Sequence, residues 1–193
     1  MIVAVSALMF ASCGNANKSA AAPVEHTQVN EDAKPVVYMT KEITPEALVK
    51  IYDALGVTPS GKVAVKISTG EPGGHNFLQP SLIKDLVKKV NGTIVECNTA
   101  YKGPRYETET HMKVFEDHGF AAIAPVDLLD GYGEVKIPVK DTTYIKYNLV
   151  GENMLNYDWM VNLAHFKGHA MGGFGGVLKN QSMNLLALQF YTK

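Results

Sequence analysis

Residues 62–97 read KVAVKISTGEPGGHNFLQPSLIKDLVKKVNGTIVEC, and this stretch decides the fold. The alternating, valine-rich segment over 62–68 predicts a β-strand. Apolar residues at helical spacing over 80–90 predict a helix with proline at its first position. Residues 93–97 predict a second strand. Strand, helix and strand in this order are typical of a βαβ unit, in which the two strands run parallel.

The same alternation continues on both sides of this unit. The other predicted elements are helices over 44–55, 107–118 and 148–157, a strand or hairpin over 131–147, and strands over 121–125 and 159–165. The predicted fold class is therefore α/β, with a mostly parallel sheet built from βαβ units and flanked by helices. In such sheets ligands bind beyond the carboxyl ends of the strands.

Composition limits the classes of function that the chain can have. The 193 residues suit one domain, and 18 basic against 19 acidic residues give a net charge of -1. Without a basic excess, nucleic acid is not expected as a partner. The two cysteines, Cys13 and Cys97, cannot hold an iron–sulfur cluster by themselves, since such clusters take about four ligands. Cys97, at a strand end, is interpreted as a small buried hydrophobe.

The first residues are interpreted as an export signal. Residues 1–10 are apolar, and Cys13 follows two small residues, as in a bacterial lipoprotein signal. The predicted organisation is a signal over 1–22 with Cys13 as the lipidation site, a flexible tether over 23–40 and a single α/β domain over 41–193. This predicts an exported protein that a lipid anchors to the membrane of the bacterial cell envelope. The alternatives are a plain cleaved signal and a buried N-terminal strand.

Two polar loops follow the first two predicted strands, at the same edge of the sheet. Residues 69–79 and 98–106 form these loops, and together with a later lysine they supply the predicted substrate-binding residues His75, Asn98, Arg105 and Lys167. The Arg105 guanidinium can bind a carboxylate or phosphate, with a surface ion pair as the alternative. An exposed loop histidine without a ligand is the alternative for His75.

The segment over 165–179 combines histidine, lysine and glycine more densely than any other part of the chain. His165 and His169 are four residues apart and, on a helix, could together hold a metal ion such as nickel, iron or zinc. The glycines over 168–176 instead favour a strand that ends at His165 and a loop that curls around a ligand. Lys167 and Lys179 would attract an anionic group there.

Several short blocks resemble the family called domain of unknown function 362. The blocks are HFKGH over 165–169, GFGG over 173–176, Lys179-Asn180, GEPG over 70–73, NTAY over 98–101 with Arg105, and HGF over 118–120. The resemblance covers about residues 62–181, and some members of that family are fused to ferredoxin modules with four-iron clusters. The expected cofactor-binding residues are Gly173, Phe174, Gly175, Gly176, Lys179 and Asn180.

A more distant similarity is to the lactate racemase family, through His169, Gly173-Phe174, Gly176 and Lys179. It implies that His169 is a catalytic acid/base and that Lys179 is the covalent anchor of a nickel pincer nucleotide. In both families a further histidine follows the lysine. Residues 182–193 lack it, so the domain is expected to be partial, a truncated N-terminal portion with a sheet incomplete at its C-terminus.

Three functions remain open at this level. The chain binds a metal or an anionic cofactor at the loop over residues 165–179, and if it is an enzyme it is isomerase- or redox-like with a metal or organometallic cofactor. Alternatively, it is a non-catalytic, lipid-anchored binding protein or an inactive truncated fragment. The expected partners are a small anionic ligand and, through the lipid, a membrane.

Overall fold

The computed structural model of the chain describes residues 3–9, 36–170 and 172–185. The helices are α1 (Pro45–Ala54), α2 (Pro80–Lys89), α3 (Thr108–Asp117) and α4 (Val177–Leu185), with a short 3₁₀ helix at Glu152–Asn156. The strands are β1 (Val3–Met9), β2 (Val63–Lys66), β3 (Gly92–Glu96), β4 (Val126–Leu128), β5 (Glu134–Pro138), β6 (Tyr147–Gly151), β7 (Trp159–His165), β8 (Lys167–His169) and β9 (Gly173–Gly175).

The main sheet has five strands in the order β1, β7, β2, β3, β4. Strands β7, β2, β3 and β4 are parallel, and β1 pairs antiparallel with β7. In the register of the three central strands, Val63 of β2 pairs with Trp159 of β7 on one side and with Gly92 of β3 on the other. The predicted α/β class and its parallel sheet of βαβ units are confirmed.

The helix starts follow the local signals in the sequence. Thr44 precedes α1, and its Oγ1 accepts the N–H of Ala47 at 3.1 Å. Pro45 and Pro80 occupy the first turns of α1 and α2, where no intrahelical donor is lost. Lys88 and Lys89 lie in the last turn of α2, where cations complement the helix dipole.

The sheet has a core on each face, because successive strand residues point to opposite sides. Val63 and Val65 of β2 belong to the larger core, which also holds apolar residues of α1, α2 and α3. Ala64, between them, belongs to the smaller core together with Val150 of β6 and Met160 of β7. The β5–β6 hairpin therefore covers the side of the sheet opposite to the first three helices.

Three element predictions are wrong. The strand predicted over 121–125 is a series of turns, and β4 begins only at Val126. The cause is the end of α3: the N–H groups of Phe120 and Ala121 both donate to Phe115 O, at 2.9 and 3.2 Å, and the Phe120 ring is buried. The helix predicted over 148–157 is mostly strand β6 and a 3₁₀ turn.

The third wrong prediction is the loop after His165. This segment is instead the β8–β9 hairpin followed by α4. In the hairpin Lys167 pairs with Gly175 and His169 with Gly173, so the glycines take part in regular pairing. The strand predicted over 159–165 is confirmed as β7.

The predicted lipidation site, Cys13, lies outside the described residues and stays a prediction, as does the export signal. Of residues 1–22 the structure describes only Val3–Met9, which form β1. In the predicted tether, residues 36–40 are exposed and have neither helix nor strand. Among the described residues, no helix has the length and apolar character needed to cross a bilayer.

Candidate functional site

A cavity of about 170 Å³ lies where β2, β3 and β7 reach their carboxyl ends. Its basic lining residues are Arg105, His165, Lys167 and Lys179. Amide side chains of Asn98 and Asn180 and the backbone at Gly175 and Gly176 complete much of its polar lining. Among the described residues that line it, none is acidic. We call this space the edge cavity.

Four separate segments bring the basic side chains to the edge cavity. Arg105 lies in the loop after β3, where its carbonyl accepts the Thr99 N–H at 2.8 Å. His165 ends β7, and Lys167 begins β8. Lys179 lies in the first turn of α4. The edge of a parallel sheet thus gathers residues that are far apart in sequence.

Arg105 is held rigidly and is only 7% exposed. Its Nη1 lies 3.4 Å from Glu96 Oε1, and its Nη2 donates to Glu71 Oε1 and to Tyr101 OH. Its Nε is buried and has no hydrogen-bond partner within the described part of the chain. The guanidinium thus has one ion-pair partner inside the protein, Glu96, and one with an exposed side chain, Glu71.

Beneath Arg105 lies a buried group that we call the Glu96 network: Thr69, Glu96, Arg105 and His111. The Glu96 carboxylate accepts the Thr69 N–H at 2.8 Å and lies 3.2 Å from His111 Nε2. Burial raises the pKa of Glu96, but the hydrogen bond from His111 and the positive charges of Lys66, His111 and Arg105 outweigh it and lower this pKa to about 2. Glu96 is therefore a carboxylate at neutral pH.

His111 connects this network to the edge cavity. Its Nδ1 lies 3.2 Å from Asn98 Oδ1, and Asn98 lines the cavity. The backbone N–H of Asn98 donates to both Asp130 oxygens, at 2.9 and 3.1 Å. The orientation of the Asn98 amide is therefore fixed by groups behind the cavity wall.

Lys66 is fully buried at the end of β2. Its ammonium donates to Ile67 O and lies 3.4 Å from Asn180 Oδ1. Burial lowers the pKa of Lys66, although the nearby Glu96 carboxylate opposes this. Asn180 Nδ2 donates to Asn162 Oδ1 at 2.8 Å, and Asn162 Nδ2 donates to Val177 O at 3.2 Å. These bonds fix the start of α4 against β7.

The cations in the wall of the edge cavity affect one another. Burial lowers the pKa of Lys179, and the nearby charge of Lys167 lowers it further. The same two causes, in the same order, lower the pKa of His165. Like charges held close together disfavour each other, and an anion placed among them would relieve that repulsion.

The glycines in and next to the β8–β9 hairpin leave room for neighbouring side chains. A Cβ on Gly176 would lie 2.6 Å from Phe174 Cζ, and one on Gly175 would lie 3.2 Å from Lys167 Cγ. Gly173 has φ 66°, in the left-handed region that glycine adopts without strain. Of the predicted cofactor-binding residues, Gly175, Gly176, Lys179 and Asn180 line the edge cavity, whereas Gly173 and Phe174 do not.

His169 lies apart from this cavity. Its Nδ1 accepts the Gly172 N–H at 3.0 Å within the hairpin turn, and it is not among the lining residues. His165 and His169 occupy different strands rather than one helix face. Across the described residues, no three His, Cys, Asp or Glu side chains are grouped so that they could hold a metal ion. The two histidines are thus not placed as the helical pair expected from their spacing, and a metal bound by them stays a prediction.

A second, wider space adjoins the edge cavity, with a volume of about 900 Å³. His75, Asn76, Phe77 and Phe166 line it, and His165 and Lys167 are shared with the edge cavity. We call it the adjacent groove. Of the predicted substrate-binding residues, Asn98, Arg105 and Lys167 thus line one space, and His75 lines the other.

The site residues predicted from the sequence do not include Lys66, Glu71, Glu96 and Tyr101. A signal for two of them was present, because Lys66 and Glu96 are charged residues at the ends of short strands that carry no other charged residue. Strands of a parallel sheet are buried on both faces, so a charge within them requires a partner or a function. Glu71 and Tyr101 lie in loops and carry no comparable signal.

The family comparison is consistent with this architecture. The sequence profile described as Domain of unknown function (DUF362) matches residues 63–189, which is more than half of the chain. Neither curated proteins nor solved structures give a significant match. The similarity to the lactate racemase family, with the roles it implies for His169 and Lys179, stays a prediction. By its profile match, the chain belongs to the DUF362 family.

Proposed function

We propose that this domain binds a small anion, such as a phosphate or carboxylate group, in the edge cavity. The observation that carries the proposal is the composition of the cavity wall. Arg105, His165, Lys167 and Lys179 line it, and no acidic side chain does so among the described lining residues. Oxyanions are bound in proteins by this combination of cationic side chains and amide donors.

The two lysines supply the charge that a ligand would neutralise. Arg105 already has the carboxylates of Glu96 and Glu71 as partners, so its charge is largely balanced. Lys167 and Lys179 lie close enough for the first to lower the pKa of the second. An anion between the two ammonium groups would raise the pKa of Lys179 again and would gain two charge-assisted hydrogen bonds.

Binding without catalysis is the function that this geometry supports best. An isomerase-like reaction would require His169 as a proton donor and acceptor, and His169 does not line the edge cavity. A metal-dependent reaction would require a ligand set that the described residues do not supply. The cavity wall has binding groups, and the proposal extends only to these.

Calorimetric titration with inorganic phosphate, and separately with acetate, tests the proposal. We expect Lys179→Met to weaken phosphate binding about tenfold, because one charge-assisted hydrogen bond is lost. Lys84→Met is the matched control, since Lys84 is an exposed lysine on α2. Its affinity for phosphate should equal that of the wild type. If the wild type binds neither anion, or if both variants weaken binding equally, the proposal is wrong.

A further inference from the structure

The edge cavity is too small for most organic ligands, and the adjacent groove is not. Pockets for cofactors and other organic ligands typically measure about 300–1,000 Å³. The edge cavity, at about 170 Å³, holds little more than an anionic group. The adjacent groove, at about 900 Å³, has room for a much larger body. A ligand confined to the cavity would leave most of this surface unused.

The two spaces share part of their wall. His165 and Lys167 line both of them, so a molecule whose anionic group lies beside Lys167 can extend directly into the groove. Lys167 lies at the start of β8, immediately after Phe166, and Phe166 lines the groove. The residue that binds the anion and an aromatic ring in the groove are thus adjacent in sequence.

The groove wall combines aromatic surface with polar groups. Phe166 is 56% exposed, and its ring lies 4.7 Å from that of Phe174, measured between ring centroids. The Phe174 ring therefore packs against one side of Phe166, while much of the Phe166 ring stays exposed to solvent. Side chains of Asn76, Ser81 and His75 add hydrogen-bonding groups to the same wall. Such a wall suits a flat ring that carries polar atoms.

We infer that the ligand of this domain is an organic anion with an aromatic or heteroaromatic body. Its anionic group lies in the edge cavity between Lys167 and Lys179, and its ring lies in the adjacent groove against Phe166. The inference rests on the proposed function for the anionic half of the ligand. It adds the substrate class, and it gives His75 a place at the ring end of the ligand.

A comparison of phenyl phosphate with inorganic phosphate tests this inference. In the wild type we expect phenyl phosphate to bind about fivefold more tightly, because its ring gains contact with Phe166. Phe166→Ala should remove that gain and leave the affinity for inorganic phosphate unchanged. Tyr144→Ala is the matched control, since Tyr144 is 93% exposed and lines neither space. This control should keep the full gain.

The possible results separate this inference from the proposed function. If inorganic phosphate binds but phenyl phosphate binds no more tightly, or if Phe166→Ala keeps the gain, the inference is wrong while the proposed function stands. If neither compound binds to the wild type, the proposed function itself fails. Should Phe166→Ala not fold, nuclear Overhauser effects in the wild type decide. Cross-peaks between the phenyl protons and the Phe166 ring support the inference, and their absence in a saturated complex contradicts it.

Discussion

The Glu96 network and the wall of the edge cavity both contain basic side chains, yet these side chains are partnered differently. In the network, Arg105 and His111 both lie within ion-pair distance of the Glu96 carboxylate, and all three are at least nine-tenths buried. In the cavity, Lys167 and Lys179 lie close together, and no acidic side chain lines that space among the described residues. Paired charges hold a structure in place, whereas neighbouring cations without a carboxylate favour a ligand that carries the missing charge.

Removing the central carboxylate of the network should have the largest effect on the molecule. We expect Glu96→Gln to lower the free energy of unfolding by about 3 kcal/mol, because Arg105 would lose its buried counter-charge and the polar groups of Thr69 and His111 would lose a carboxylate partner. Urea denaturation measures this change. The control Glu116→Gln, at an exposed position of α3, should change stability by less than about 0.5 kcal/mol. Equal effects of the two changes would mean that the buried pairing adds nothing to stability.

Acid should weaken the Glu96 network, whereas the lysines of the edge cavity stay protonated. The pKa of Glu96 is about 2 in the folded chain, below the value of about 4.3 of an unfolded glutamate. Its contribution to stability is therefore fully present above about pH 5 and is lost as the pH falls through about 2. The total loss should be about 3 kcal/mol. Urea midpoints across this interval measure it, and the same curve in Glu96→Gln should be flatter; an equally steep curve would assign the acid sensitivity to other groups.

Alkali should act on the edge cavity through Lys179. Burial and the charge of Lys167 place the pKa of Lys179 below 10.5, so Lys179 loses its charge at a lower pH than an ordinary lysine. As the pH rises through that pKa, we expect phosphate binding to weaken about threefold, because a neutral amine still donates a hydrogen bond but attracts no anion. Calorimetry between about pH 8 and 10.5 measures the loss. Lys179→Arg stays charged and should lose less phosphate affinity over this interval than the wild type; an equal loss in that variant would exclude Lys179 as the titrating group.

Much of the fold could be predicted because its signals are local. Alternating valines mark β2, and Thr44 with Pro45 marks the start of α1 before any tertiary contact is known. The strand predicted over 121–125 fails for the opposite reason. The Phe120 ring is buried in the core, and the N–H groups of Phe120 and Ala121 donate to the carbonyl of Phe115 in α3. Nothing in the local sequence shows these contacts.

The site was predictable as far as the topology alone determines it. The rule that ligands bind at the carboxyl edge of a parallel sheet correctly groups Asn98 and Arg105 with residues that follow β7. It cannot assign His75 to the adjacent groove, because that depends on the path of a loop. Nor can spacing show that the glycines at 175 and 176 make room for the side chains of Lys167 and Phe174. The partners of Glu96 come from several segments, and only their three-dimensional arrangement shows them.

The contact between Lys66 and Asn180 gives the edge cavity a connection to the interior of the sheet. Asn180 directly follows Lys179, so an amine in the wall of the edge cavity and the amide that contacts the buried Lys66 amine are carried by the same turn of α4. Any ligand that shifts this turn also alters the solvation of an amine that it never touches. Under the proposed function, binding beside Lys179 is therefore expected to change the spectroscopic signals of Lys66.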